Sequence, residues 1–435
     1  MAELQKGRLF VPCAGGVEPL LAEELRTLLP EVTQEKSRGG VALVGATLLD
    51  AMRINLWSRL ATRVLVELGH GPCRDETELY EFARDLYWEA WITPQQTLRV
   101  DVSSRNSPLP SLQFAGLRVK DAVCDALREA FGERPSVDTR DPDLPIVLHL
   151  EQDSATLYAD ASGEPLFKRG WRQDTGDAPL KETLAAAMLA FAGWRGTPEA
   201  GGAFNDPCCG SGTLVIEAAQ IACGMAPGGQ RRFAFERQLP YRGLLSDWQR
   251  MKQQARAAEH APAVPLFGSD VAFRMVDFAS RNAERAGVAH AIRFQGGDAL
   301  ERPAPALPAD LPGTLMLNPP YGDRIDVAGK AGRPHGLAAR DLPPEGAGPL
   351  GSSPARAGRE EAQMDAGGDF FNRLAAHWKR QYAPHPAGWS AWLLSPDREL
   401  PRRMRLKESR KLPLWNGPIE CRLFRFDLVA GSNRT

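Results

Sequence analysis

The fold of this chain depends on the stretch Ala203-Phe-Asn-Asp-Pro-Cys-Cys-Gly-Ser-Gly-Thr-Leu-Val-Ile-Glu-Ala-Ala219. A short apolar run ends at Asp206, a Gly-x-Gly turn follows, and a helical pattern begins at Thr213. Gly210 and Gly212 lack a Cβ, so they can adopt positive φ and let the backbone approach a ligand closely. A strand, a glycine turn and a helix in this order are typical of a nucleotide-binding α/β unit.

The residues around this turn indicate which ligand it holds. No Gly-Lys-Ser or Gly-Lys-Thr follows, so the turn is not a P-loop, and the third glycine of the dinucleotide fingerprint is missing. Asp206 stands before the turn instead, where its carboxylate can accept a hydrogen bond from a cationic amino group. The sequence therefore favours S-adenosylmethionine over a ligand that carries a pyrophosphate.

A second motif, Asn318-Pro-Pro-Tyr321, follows an apolar run that predicts a buried strand. The residue before a proline is biased to extended conformations, so Asn318 is expected to stand rigidly at the carboxyl end of that strand, where open α/β sheets bind ligands. The side-chain carbonyl of Asn318 and the backbone carbonyl of Pro319 can both accept from one exocyclic amine, and Tyr321 can stack on the base. An isolated Asn-Pro-Pro is more often an ordinary turn, but its position downstream of the glycine turn favours a catalytic motif.

With these two motifs the chain closely resembles the bacterial THUMP-containing 23S rRNA guanine-N2-methyltransferases of the RlmL type. The resemblance covers nearly the whole chain and is carried by Asn205-Asp-Pro-Cys-Cys-Gly-Ser-Gly-Thr213, Asn318-Pro-Pro-Tyr-Gly322, Ala178-Pro-Leu-Lys-Glu-Thr-Leu-Ala-Ala186, Leu56-Trp-Ser-Arg-Leu-Ala61 and Val119-Lys-Asp-Ala122. It implies S-adenosyl-L-methionine as cofactor, and 23S rRNA as partner, either free or in an early large-subunit assembly intermediate.

The same resemblance implies an α/β architecture. A class I, Rossmann-like methyltransferase domain with a seven-stranded doubly wound sheet is expected after an α+β ferredoxin-like lobe and an RNA-binding THUMP domain. We place the ferredoxin-like lobe at residues 1–46, the THUMP domain at 47–160 and the methyltransferase domain at 161–435. Residues 119–131 show a clear helical period, whereas residues 225–263 are predicted to be irregular.

Two further acids end the second and third strands of the predicted sheet. Asp270 ends the run from Val264, and Asp298 ends the run from Ile292. In this fold an acid at the end of the second strand receives ribose hydroxyls, so Asp270 is expected to bind the ribose of the cofactor. Capping of the helix that begins at Phe273 is the alternative. Asp298 can accept from the adenine amino group.

The composition is that of an ordinary globular protein, with 43% hydrophobic and 25% charged residues. No apolar run approaches the ~20 residues of a membrane span, and the N-terminal residues lack the apolar core of a signal peptide, so a cytoplasmic location is expected.

The seven cysteines include no Cys-x-x-Cys, so neither disulfides nor a metal site is predicted, and Cys208-Cys209 is assigned to packing. The net charge of −1 leaves RNA binding undecided. The sequence does not decide the oligomeric state, and a monomer is one of the states that it allows.

Basic side chains are concentrated in two segments that could contact RNA. The leading candidate, although a charge run is usually a solvated face, is the densest basic run, formed by Arg402, Arg403, Arg405, Lys407, Arg410 and Lys411. Phe167-Lys-Arg-Gly-Trp-Arg172 joins the two halves and is either an RNA contact or a solvated linker. The family resemblance places the next helix, with Lys181, Glu182 and Thr183, against the cofactor pocket, although such residues more often lie on a surface.

Residues 328–368 contain no β-branched or aromatic residue and are rich in Gly, Ala and Pro. Such a composition cannot bury enough surface to fold alone, so a disordered insertion is expected. We interpret it as a linker, and a lid over the site is the alternative.

Together these features predict methylation of a guanine exocyclic N2 in 23S rRNA by direct displacement, without a metal or a covalent nucleophile. A tRNA guanine-N2-methyltransferase and a DNA adenine-N6-methyltransferase are alternatives, because Asn-Pro-Pro-Tyr can accept from any exocyclic amine. The RNA-type N-terminal lobes argue against DNA. A non-catalytic RNA-binding or ribosome-assembly factor is the remaining alternative, and the intact Asp206, Gly210, Gly212 and Asn318 argue against it.

Overall fold

The structure is a computed structural model that describes residues 6–176, 180–319, 370–417 and 419–429. Tyr321 and the 328–368 insertion lie outside the described residues, so the base-stacking role and the disorder that we expect for them stay predictions. Two β-sheets organise the described part of the chain, one in each half.

The N-terminal half forms one mixed eight-stranded sheet. Its strands are β1 (Gly7–Pro12), β2 (Thr33–Ser37), β3 (Gly40–Ala46), β4 (Leu65–Pro72), β5 (Thr97–Arg105), β6 (Ser136–Val137), β7 (Leu144–Glu151) and β8 (Ser154–Asp160). They lie in the order β2-β3-β1-β4-β8-β7-β5-β6. Because β4 pairs with both β1 and β8, the sheet is continuous from the predicted ferredoxin-like lobe into the THUMP domain, and the domain boundaries stay a prediction.

The N-terminal helices are α1 (Glu18–Leu28), α2 (Leu48–Trp57), α3 (Glu76–Arg84) and α4 (Leu112–Phe131). Side-chain caps set the starts of α2, α3 and α4. Thr47 and Asp50 form a reciprocal capping box at the start of α2. The helix predicted at 119–131 begins seven residues earlier, at Leu112, because the Ser111 side chain accepts from the backbone N–H of Phe114 and caps that turn.

The C-terminal half forms the predicted seven-stranded sheet. Its strands are β9 (Ala203–Asp206), β10 (Leu266–Asp270), β11 (Ile292–Gly296), β12 (Gly313–Leu317), β13 (Trp389–Ser395), β14 (Arg410–Asn416) and β15 (Ile419–Leu428). Their order is β11-β10-β9-β12-β13-β15-β14, in which β15 runs antiparallel to its neighbours and the other pairs are parallel. The chain reverses its direction of growth between β9 and β12, which is where doubly wound sheets bind ligands.

Six α-helices of the described residues accompany this sheet: α5 (Glu182–Ala192), α6 (Thr213–Ala222), α7 (Leu245–Ala257), α8 (Phe273–Arg285), α9 (Phe370–Gln381) and α10 (Leu400–Met404). The prediction that residues 225–263 are irregular was wrong. This stretch contains two 3-10 helices, Ala234–Glu236 and Leu239–Leu244, and then α7. This stretch is held together by a cluster of four buried aromatic side chains: Phe233, Phe235, Tyr241 and Trp248.

A buried ion cluster joins the two halves. Arg59 of the N-terminal half and Arg169 both donate to Oε1 of Glu217 on α6, at 2.8 and 3.3 Å. Glu217 and Arg169 are almost completely buried, as is Trp171. Neither alternative for residues 167–172, an RNA contact or a solvated linker, describes Arg169 and Trp171, because both side chains belong to the interior.

Candidate active site

The four polar residues predicted at strand ends lie at one edge of the C-terminal sheet. β9 ends at Asp206 and β10 at Asp270, Asp298 lies two residues after β11, and Asn318 directly follows β12. These strands are parallel neighbours, with β10 between β9 and β11 and with β12 on the other side of β9. Their carboxyl ends therefore meet, and the structure brings the four side chains to the same edge.

Three carboxyl groups surround Cys208 at this edge. Burial first, and then the negative charges of Asp270, Asp206 and Asp298, raise the pKa of its thiol well above the ordinary value. A thiol held in this protonated form is a poor nucleophile, which agrees with the assignment of the cysteine pair to packing. Burial also raises the pKa of Asp206, and the charge of Asp270 adds to this effect. An acidic pocket of this kind favours a ligand that carries positive charge.

Asp270 ties the glycine turn to the second strand. Its Oδ2 accepts from the backbone N–H of Gly210 at 2.9 Å, and its Oδ1 accepts from that of Ala272 at 3.0 Å. Ala272, not Asp270, is the N-cap residue of α8, so the helix-cap alternative was wrong. Each carboxylate oxygen retains capacity for a further hydrogen bond, and ribose binding by Asp270 stays a prediction. Asp298 Oδ1 likewise accepts from the backbone N–H of Leu300 at 2.8 Å.

The two glycines of the turn serve different purposes. Their φ angles are 53° at Gly210 and 92° at Gly212, in the region that favours glycine. A Cβ on Gly212 would lie 2.9 Å from Cδ1 of Ile216 and 3.0 Å from Cβ of Ala279, whereas a Cβ on Gly210 would meet no described atom within 4 Å. Gly212 therefore allows α6 and α8 to pack closely, and Gly210 borders open space that a ligand can enter.

Two polar residues support the turn from outside, a role that the sequence analysis did not assign to either of them. Arg172 donates to Oγ of Ser211 at 3.2 Å and to Oγ1 of Thr213 at 2.7 Å, and it pairs with the buried Glu182 at 2.8 Å. Asn282 on α8 is completely buried and donates to the backbone oxygen of Ser211 at 3.0 Å. An asparagine on the inward face of an amphipathic helix was the available signal for Asn282.

The other residues near the turn have mixed positions. Of the three that the family resemblance places against the cofactor pocket, Glu182 and Thr183 are buried, whereas Lys181 is exposed.

The basic residues of the run from 402 to 411 are exposed, and two of them form surface ion pairs, Arg402 with Glu399 and Arg403 with Asp397. RNA contact by this run stays a prediction.

Asn318 carries a buried polar atom that lacks a partner. Its Oδ1 is inaccessible to solvent and has no hydrogen-bond partner among the described residues, and Pro319 beside it is buried. An unpaired buried carbonyl oxygen costs free energy of about 1–3 kcal/mol unless a donor reaches it. An exocyclic amine of a base is a suitable donor, so the geometry fits the amine-binding role predicted for Asn318.

The described residues also bear on metals and membranes. Between residues 6 and 429, outside the segments left undescribed, no three His, Cys, Asp or Glu side chains are placed to hold a metal ion. No helix in those same segments is long and apolar enough to cross a membrane.

Three family models match successive parts of the chain. They describe the RlmL ferredoxin-like domain at residues 8–65, a THUMP domain at 73–160 and an RMKL-like methyltransferase domain at 169–333. A curated relative, the ribosomal RNA large subunit methyltransferase K/L of Syntrophotalea carbinolica, is 35% identical over 97% of this chain and 54% of its own length. The chain spans about half the length of the curated relatives it matches.

Solved structures share this fold over nearly their whole length. The methyltransferase SMU.472, complexed with SAH, has a TM-score of 0.76 at 26% identity, over 97% of this chain and 98% of that one. A Listeria monocytogenes protein named as an N6-adenine-specific DNA methylase has a TM-score of 0.75 at 25% identity, over 97% and 96%. With its ferredoxin-like, THUMP and RMKL-like domains in this order, the chain belongs to the family of THUMP-containing methyltransferases of the RlmL type.

Proposed function

We propose that this chain transfers a methyl group from S-adenosyl-L-methionine to the exocyclic N2 of a guanine in 23S rRNA. The observation that carries the proposal is the buried, unpartnered Oδ1 of Asn318, which stands beside the strand end that bears Asp206. The relatives named as ribosomal RNA large subunit methyltransferases support the substrate, and the SAH in SMU.472 supports the cofactor.

Residues at the ends of β9, β10 and β11 suit this cofactor. The cofactor supplies an electrophilic methyl group on a positively charged sulfur. Asp206 accepts from its amino group, Asp270 from the ribose hydroxyls and Asp298 from the adenine amine. Gly210 leaves room for the ligand because a Cβ there would point into open space.

On the substrate side, Asn318 and Pro319 hold the target amine. The Oδ1 of Asn318 and the backbone oxygen of Pro319 accept the two N–H groups, which favours a pyramidal nitrogen whose lone pair faces the cofactor. Tyr321 stacks on the base, which must leave its own stack to reach the pocket. Much of the rate acceleration comes from this positioning, because a fixed near-attack geometry removes most of the entropic cost of bringing the reactants together.

Methylation of adenine N6 in DNA is the second candidate. The Listeria relative carries that name, and the amine-binding geometry of Asn318 does not distinguish adenine from guanine. The THUMP domain and the names of the curated relatives favour RNA, and a tRNA guanine remains the nearest alternative within RNA.

Mass-spectrometric mapping of modified nucleosides in a strain that lacks the gene tests the choice of substrate. The proposal predicts that one N2-methylguanosine disappears from 23S rRNA and returns when the gene is restored. Loss of a tRNA modification, or of N6-methyladenine from DNA, with 23S rRNA unchanged would contradict it. A non-catalytic factor would leave all three patterns intact.

Alanine substitutions in the glycine turn should separate ligand access from packing. Gly210→Ala is expected to weaken binding of S-adenosylhomocysteine about 10- to 100-fold, because overpacking costs about 1–3 kcal/mol. Its free energy of unfolding should fall by about 1–2 kcal/mol, the cost of a side chain at this positive φ. Gly212→Ala should chiefly lower the unfolding midpoint, since its Cβ would overlap Ile216 and Ala279. Calorimetry and thermal unfolding measure the two effects. Unchanged affinity in Gly210→Ala would show that the ligand does not enter this space.

Asp206→Asn should make the ligand-free protein more stable and should weaken its binding of S-adenosylhomocysteine. Burial raises the pKa of Asp206, so its ionised carboxylate destabilises the fold at neutral and higher pH, and this cost disappears as protonation occurs at lower pH. The variant is expected to raise the unfolding midpoint most at about pH 8 and less at about pH 5, because the cost shrinks as the pH falls towards the ordinary pKa of an aspartate, and to bind S-adenosylhomocysteine poorly. An equal change at both pH values would indicate altered packing instead of ionisation.

A further inference from the structure

A cleft of about 1060 Å³ lies between the N-terminal half and the methyltransferase half. Among the described residues, eight lysine and arginine side chains and four acidic side chains line it, which leaves an excess of four positive charges. The whole chain has a net charge of −1. A concave surface with this local excess on a nearly neutral protein indicates a polyanionic ligand.

The acidic residues of the cleft are already engaged. Three of them form ion pairs: Asp141 with Arg237, Glu164 with Lys168, and Glu182 with Arg172. The fourth, Glu236, accepts a hydrogen bond from the backbone N–H of Phe233. In contrast, Arg140, Lys181 and Arg232 are exposed, and their side chains have no carboxylate partner within the described segments. The exposed positive charge of the cleft that lacks a carboxylate partner therefore resides on these three side chains.

Arg231 shapes the wall of the cleft and is not available to a ligand. Its guanidinium donates to the backbone oxygens of Glu164, Pro165 and Lys168 at 2.6, 2.8 and 2.9 Å. Burial lowers the pKa of Arg231 to about 10. Its sequence neighbour Arg232 is the exposed cation of the pair, so the two adjacent arginines have different roles.

The cleft also contains an aromatic surface, and one of its lining residues supports the glycine turn. The Nζ of Lys181 lies 5.0 Å from the ring centroid of Phe167, and both residues line the cleft. Arg172 lines it as well and holds Ser211 and Thr213 of the glycine turn. A ligand in the cleft therefore lies next to the elements that position the active site.

We propose that this cleft binds the sugar-phosphate backbone of the RNA substrate beside the active site, an inference that rests on the proposed function. Separate, unpaired cations beside an aromatic ring match phosphate contacts combined with base stacking better than they match an acidic protein. The proposal assigns phosphate contacts to Arg140 and Arg232. It does not assign them to the run at residues 402–411, which was the leading candidate from sequence.

Three double variants of the full chain test the assignment: Arg140→Ala with Arg232→Ala, Arg402→Ala with Arg403→Ala, and Arg26→Ala with Arg53→Ala. Each removes two exposed arginines, and the last pair belongs to α1 and α2 and does not line the cleft. Binding of protein-free 23S rRNA is measured by fluorescence anisotropy between about 50 and about 200 mM salt. Thermal unfolding and S-adenosylhomocysteine affinity serve as checks on folding and on the cofactor site.

The cleft variant is expected to bind RNA about tenfold or more weakly, with a salt dependence reduced by about one to two phosphate contacts, and to keep its unfolding midpoint and cofactor affinity. The other two variants should stay within about threefold of wild type. RNA affinity and salt slope unchanged in the cleft variant would overturn the proposal, as would a loss confined to the 402–403 variant. Tight cleft-dependent binding of polyglutamate without RNA binding would assign an acidic protein instead. Wild-type protein that binds RNA but methylates none would contradict the proposed function alone.

Discussion

Asn318→Ala is expected to reduce the methylation rate on the order of 100- to 1000-fold while leaving the affinity for S-adenosylhomocysteine nearly unchanged. Removing one preorganised hydrogen-bonding group from an active site costs about 2.7–4 kcal/mol of transition-state stabilisation. The Oδ1 of Asn318 is buried without a partner among the described residues, and the proposed function assigns its hydrogen bond to the amine of the substrate. Single-turnover methylation and calorimetric titration of the cofactor product measure the two quantities separately.

Asn318→Asp is the matched control for that substitution. An aspartate has nearly the same shape as asparagine and keeps an acceptor oxygen at this position, so the variant should retain more activity than alanine. A fully active Asn318→Ala variant would contradict the amine-binding role. A variant that loses cofactor affinity and activity in parallel would place Asn318 in the cofactor site instead of against the base.

Glu217→Gln is expected to lower the free energy of unfolding by about 3–5 kcal/mol, because the partly buried Arg59 and the buried Arg169 lose their common carboxylate partner. Burial lowers the pKa of Arg59, and the charge of Glu217 opposes that effect, so this ion cluster depends on the carboxylate. Thermal and denaturant unfolding of the full chain should show the loss.

The control for this prediction is Glu151→Gln, which removes the carboxylate of an exposed pair with Arg105. Exposed pairs contribute little, so its unfolding midpoint should stay close to that of wild type. Similar midpoints for the Glu217 and Glu151 variants would show that the buried cluster does not join the halves as the structure indicates.

The features that could be predicted from sequence are those that local chemistry decides. Gly210 and Gly212 predict a turn that needs positive φ, and the prolines after Asn318 predict the end of a strand. The parallel strands then bring Asp206 and Asp270 to the same edge, since carboxyl ends of neighbouring strands must meet. The central part of the site therefore follows from short segments and the rules of the doubly wound fold.

Features that depend on distant partners could not be predicted in the same way. Asn282 supports the glycine turn through Ser211, which lies 71 residues earlier in the chain. The edge strand Thr33–Ser37 contains only polar residues, so it shows no alternating pattern, although it pairs with β3 along its whole length. The aromatic stretch around Trp248 lacks a single period because it combines 3-10 helices with an α-helix.

The chemical identity of the methylated nucleoside tests the central claim most directly. Purified protein is incubated with protein-free 23S rRNA and S-adenosylmethionine that carries an isotope-labelled methyl group, and the RNA is then digested to nucleosides for mass spectrometry. The proposed function predicts label in N2-methylguanosine, and a rate of labelling on the order of 100- to 1000-fold lower when the Asn318→Ala variant replaces the wild type. Label in N6-methyladenosine, or no labelled nucleoside from a protein that still binds S-adenosylhomocysteine, would contradict it.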